Sequence, residues 1–169
     1  MRFQASFAAT LTLLLIVAFP SATSLPIARA QTAADPVIGT WRMNTTKSRF
    51  NPGPGPKNVT RTYEASGNGV KVMVEGLDAL DTKTRYEYTA TYDGKDQPIK
   101  GTSIPGLAET IAVSRIDALT ATEVLKKEGK PIFFASRTVS KDGKVLTFVT
   151  SGINASGKPT SNMTVYERQ

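Results

Sequence analysis

The sequence contains no cysteine and no histidine. Without cysteine there is no disulfide framework and no thiol nucleophile, so stability has to come from the packed core. Without histidine there is no Ser-His-Asp triad. With both missing there is no zinc site of the usual kind and no c-type haem attachment. No metal, no cofactor and no catalytic residue set is therefore expected. The remaining acid-base groups are Asp, Glu, Lys and Tyr. On strand parity Glu64, Glu75, Glu87 and Glu123 all read as outward residues, so no two carboxylates share a face. The glycine-rich stretches 53–55 and 67–69 lack the lysine and following helix of a phosphate loop.

Long apolar runs are equally scarce. There is one, residues 7–19, which follows Met1-Arg2 and precedes Pro20 and a small-residue stretch ending Ala28-Arg29-Ala30. Charge first, an apolar middle and a small-residue cleavage site are the marks of a secretory signal peptide. A run of this length falls short of the about 20 residues of a spanning helix, and no cysteine follows it to carry a lipid. Residues 1–30 are thus expected to be removed, with a cut after Ala22 as the alternative, and no integral membrane anchor is expected to remain. Residues 31–169 have the length of one domain with one core. The protein is expected to be exported, periplasmic or secreted.

The formal net charge is +7, and two of the basic residues, Arg2 and Arg29, belong to the leader. Nucleic-acid binders gather Lys and Arg on one patch or helix. Here the one doublet is Lys126-Lys127 and the other charges are spread evenly, so a solvated surface is expected and no nucleic-acid partner.

What the chain does have is a rhythm of turns: Gly67-Asn68-Gly69, Leu80-Asp81-Thr82, Asp93-Gly94, Asp117-Ala118, Glu128-Gly129, Asp142-Gly143 and the stretch 154–157. Between the turns apolar and polar residues alternate. Val70, Val72 and Val74 alternate with Lys71, Met73 and Glu75; Tyr86, Tyr88, Ala90 and Tyr92 alternate with Arg85, Glu87, Thr89 and Thr91. Period two predicts half-buried strands near 37–43, 58–65, 69–76, 83–92, 96–100, 109–116, 120–127, 131–140, 144–152 and 160–167. Residues 50–56, Phe-Asn-Pro-Gly-Pro-Gly-Pro, break the rhythm and are expected to form an exposed extended loop. The fold class expected is all-β, a single antiparallel up-and-down barrel of about 8–10 strands, because closure removes the sheet edges. A two-sheet sandwich is the competing solution, disfavoured by the uninterrupted hairpin connectivity.

The first strand carries Gly39-Thr40-Trp41 in Val37-Ile38-Gly39-Thr40-Trp41-Arg42-Met43-Asn44, and the last closes with Thr164-Val165-Tyr166-Glu167-Arg168. With the length and strand rhythm of residues 35–169, this resembles the calycin superfamily, the lipocalins and fatty-acid-binding proteins, and most of all the exported bacterial lipocalin-like proteins. The resemblance implies that Gly39 bends the first strand into the barrel floor and that Trp41 plugs it, under an arginine from a late strand. The chain departs from fatty-acid-binding proteins in two places. The Pro-Gly loop stands where they carry a helical lid, and Thr164-Val165-Tyr166 stands where they carry Arg-x-Tyr.

Strand parity singles out Arg61, beside Val59 and Tyr63; Arg115, beside Ile111 and Val113; and Arg137, beside Phe133 and Ala135. A guanidinium on an apolar face needs a carboxylate, water, an aromatic face or an anionic ligand. Tyr86 and Tyr88 present rings and hydroxyls on the same face of one strand. These five residues are the candidate ligand-binding set. The function expected is that of a non-catalytic exported barrel binding a small apolar or amphipathic, and in particular anionic, ligand. A ligand-free structural or protein-interaction module of the cell envelope is the alternative, with a small-barrel isomerase or cyclase as a third class.

Overall fold

The alternation of apolar and polar residues becomes a twelve-stranded antiparallel sheet, curled into a nearly closed barrel. The computed structural model of the chain describes residues 34–169, so the expected signal peptide lies outside the described residues. The strands are β1 (Gly39–Met43), β2 (Arg49–Asn51), β3 (Asn58–Ser66), β4 (Gly69–Leu77), β5 (Lys83–Ala90), β6 (Asp93–Pro98) and β7 (Lys100–Thr102). After a 3-10 turn (Pro105–Leu107) come β8 (Thr110–Arg115), β9 (Thr120–Lys127), β10 (Lys130–Val139), β11 (Val145–Ile153) and β12 (Pro159–Arg168). The segment expected as one strand near 96–100 is split into β6 and β7 at Ile99, and β2 is additional, which accounts for twelve strands where about ten were expected.

The extra strand corrects the expectation for residues 50–56. Phe50 and Asn51 do join a ladder, opposite Asn162 and Ser161 of β12, because the prolines, which cannot donate to a ladder, begin only at Pro52. Strand β5 is also shorter than expected. It stops at Ala90, and Tyr92 takes a left-handed backbone at φ 61 that turns the chain into β6.

The hydrogen-bonded order is β6-β8-β9-β10-β11-β12-β1-β3-β4-β5-β7. Sequential hairpins make up most of it, and the last strand pairs with the first, Trp41 opposite Arg168 and Met43 opposite Tyr166. The ladder is open at one seam, where β5 packs against β6 and β8 without pairing to them. Asp and Asn side chains build several of the turns: Asp78 Oδ1 accepts from the amides of Leu80 and Thr82, both at 2.8 Å, and Asp117 Oδ1 from those of Leu119 and Thr120.

Parity sets the core. Val70, Val72 and Val74 of β4 and Tyr86, Tyr88 and Ala90 of β5 are buried. Their outward neighbours form exposed ion pairs, such as Arg85 with Glu75 at 2.8 Å, worth under about 1 kcal/mol each. The barrel interior therefore carries the stability, and any charge placed there needs a reason.

Candidate functional site

One end of the barrel is plugged. Trp41 is fully buried, and its indole N–H donates to the Val37 carbonyl at 2.8 Å, holding the segment before β1 across the opening. Gly39 sits at φ 130, and a Cβ there would stand 2.6 Å from Arg168 Nη1. It thus supplies both a backbone that side chains disfavour and room for the arginine of β12 that covers Trp41.

Above the plug lies a cavity of about 390 Å³. Its walls are apolar: Val59, Val74, Ile111, Leu125, Phe133 and Phe148 all face it. Phe50, Pro52, Pro54, Gly55 and Pro56 contribute to its lining, so the proline-rich loop is a strap across the mouth rather than a free excursion. A Cβ on Gly55 would meet the Phe50 ring at 2.2 Å, which is why glycine stands where the strap folds onto that ring.

Arg61 lines this cavity together with Tyr86 and Tyr88. Its Nε donates to Tyr166 Oη at 3.2 Å and its Nη2 reaches Tyr86 Oη at 3.5 Å. The guanidinium carbon lies 4.3 Å from the Phe148 ring centroid. Among the described residues no carboxylate pairs with it. It is half-buried and lines the cavity.

The other two arginines are placed differently. Arg137 is buried but does not line the cavity; its Nε stands 3.5 Å from Glu123 Oε1, and its Nη2 donates to Tyr92 Oη at 2.7 Å. Arg115 keeps inward parity but occupies the last position of β8. Its guanidinium lies 3.9 Å from the Tyr92 ring centroid, pairs with Asp35 and remains partly exposed. The three arginines therefore do not converge on one cavity: Arg61 alone joins Tyr86 and Tyr88.

Glu123 is a correction. Expected outward, it is 4% exposed and lines the cavity, since Ala121 and Leu125 on the same face of β9 point inward and Val124 does not. A chain of contacts leads from it through Arg137 and Tyr92, whose hydroxyl donates to Asp35 Oδ2 at 2.6 Å, to Arg115 at the surface.

The electrostatics follow from burial. Burial pushes the Tyr88 phenol far above its ordinary value, reinforced by the Glu123 carboxylate. Burial also raises Tyr86, against the opposing pull of Arg61. Tyr92 is pushed up to about 12, by burial first and by Asp35, with Arg137 opposing. All three are neutral phenols at ordinary pH. The hydroxyls of Tyr63 and Tyr88 are buried without a hydrogen-bond partner among the described residues.

Among the described residues no group of three His, Cys, Asp or Glu is placed to hold a metal ion, and no helix is long and apolar enough to cross a membrane. What the arrangement can do is hold a small molecule with an apolar body against a fixed positive charge. Comparison with protein-family models found no match for this chain, and comparison with curated protein sequences found none either.

Proposed function

We propose that the protein is an exported, non-catalytic binding barrel for a small amphipathic anion, whose acidic group is held by Arg61 and whose apolar part lies along Ile111, Leu125 and Phe133. One observation carries this reading. Arg61 is a permanently charged side chain inside the barrel that faces a cavity and has aromatic neighbours, with no carboxylate in ion-pair contact among the described residues. Such a charge is costly unless something anionic answers it. The cavity volume falls within the about 300–1,000 Å³ of small-molecule sites, and its mostly apolar wall with a few polar groups is their usual composition.

The experiment is calorimetric titration with decanoate and decanol. Decanoate is expected to bind more tightly than decanol to the wild-type protein, and Arg61→Met to abolish the difference. Equal affinity of acid and alcohol for the wild type would overturn the reading.

The alternative of a protein-interaction module has an observation of its own. On the outer face, Val149 and Met163 stand directly opposite across β11 and β12, and Phe134 lies diagonally beside Val149. These side chains are 56%, 39% and 53% exposed, an apolar group where the parity of the neighbouring strands is polar.

A further inference from the structure

The cavity that Arg61 lines also carries a charge of the opposite sign on its wall. Glu123 has one charged partner among the described residues, Arg137, at 3.5 Å. That is longer than the about 2.7–2.9 Å of a charge-assisted hydrogen bond. Arg137 meanwhile directs Nη2 to Tyr92. No hydrogen bond among the described residues ends on the Glu123 carboxylate, which therefore faces the cavity with acceptor capacity to spare. Tyr88 also lines the cavity, and its buried hydroxyl has no partner among the described residues. Arg61 and Glu123 line the same cavity of about 390 Å³.

A plain alkyl carboxylate fits this region badly. It offers acceptors only, which suit Arg61, but it brings a second negative charge toward Glu123 and leaves that carboxylate unanswered. Resting on the anion site above, we propose that the head group taken by this cavity carries a hydrogen-bond donor, a hydroxyl or an ammonium, within a few atoms of its anionic oxygens. The ligand class is then hydroxy acids or amino-acid derivatives with a compact apolar tail. Arg61 takes the acid and Glu123 accepts from the donor.

The test compares decanoate, its beta-hydroxy derivative and decanol by calorimetric titration against the wild type, Arg61→Met, Glu123→Gln and Glu123→Asp. The beta-hydroxy acid is expected to bind the wild type about tenfold more tightly than decanoate. Glu123→Gln removes the like-charge repulsion along with the strong acceptor, so decanoate should gain affinity while the hydroxy acid loses it, and the gap should close from both sides. Glu123→Asp, which keeps the charge that answers Arg137 but draws the acceptor back from the cavity, should narrow the gap and carries the test if Glu123→Gln does not fold. Equal wild-type binding of the two acids, with dependence on Arg61 retained, would overturn the head-group inference and leave the anion site standing. If neither acid binds better than decanol, the anion site itself fails and the inference with it.

Discussion

The Arg168 guanidinium lies over the Trp41 indole, its central carbon 4.1 Å from the ring centroid, while the two backbones stand directly opposite across β1 and β12. From that position Nε donates to the Gly143 carbonyl at 2.6 Å, Nη1 to Ile38 at 2.6 Å and Nη2 to Pro36 at 2.5 Å. One side chain thus covers the plug and ties together three separate stretches of chain. Trp41→Ala should cost about 3–5 kcal/mol in denaturant unfolding, since it empties the largest fully buried site. Gly39→Ala should destabilise as well, because the added methyl meets Arg168 at a backbone angle that already disfavours it. An unchanged midpoint in Trp41→Ala would contradict the plug.

Arg137 and Glu123 are both nearly fully buried. Arg137→Met, which leaves the carboxylate unpaired, should cost about 3 kcal/mol, whereas the double change Arg137→Met with Glu123→Gln should return to within about 1 kcal/mol of the wild type. Chemical denaturation of the single and double variants measures the coupling.

Asp35 gives the pH dependence. Burial raises its carboxyl, but hydrogen bonds from Tyr92, the Val37 amide and Arg115 outweigh that and hold it below its ordinary value. The folded chain therefore binds this proton less readily than the unfolded chain. The stabilisation is complete above the ordinary carboxylate range, at about pH 4, and drains away as pH falls through the lower folded value. The melting temperature of the wild type should fall more steeply below about pH 4 than that of Asp35→Asn. Parallel pH profiles for the two proteins would show that Asp35 contributes nothing there.

Arg61→Met should leave stability within about 1 kcal/mol of the wild type, unlike Arg137→Met, because no carboxylate is orphaned by the change. Thermal melts of the two variants side by side make the comparison. A large loss in Arg61→Met would mean that Arg61 holds the barrel together rather than serving a ligand.

The strands were legible because their alternation is set by burial on one face, and Arg61 could be placed inward from Val59 and Tyr63 alone. Depth along a strand was not legible: Arg115 has the same parity as Ile111 and Val113, yet it ends at the rim, since parity fixes a face and not a height. Glu123 has polar Thr120 and Thr122 before it, which suggest an outward face, but Ala121 and Leu125 two positions either side share its inward face. Asp35 and Tyr92 were missed for a different reason. They are 57 positions apart, and no local pattern announces a hydrogen bond across that distance. In the segment 50–56 the prolines mark where pairing must stop, at Pro52, but nothing in the sequence marks the pairing of Phe50 and Asn51 with β12 that anchors the strap.

The barrel is zipped by strands far apart in sequence: β1 lies between β3, its near neighbour in sequence, and β12, the twelfth of the described strands. A chain synthesised from its first residue onward can pair β1 on one side early, but the other edge stays open until the final strand arrives. Bringing the two together closes a loop of nearly the whole domain, whose entropy is lost before the contact returns anything. Folding should therefore finish late and comparatively slowly, and Trp41 should report the last step, because its indole is covered only when Arg168 is in place. Trimming even the last two residues, Arg168 and Gln169, would leave a chain with nearly all its strands and no latch.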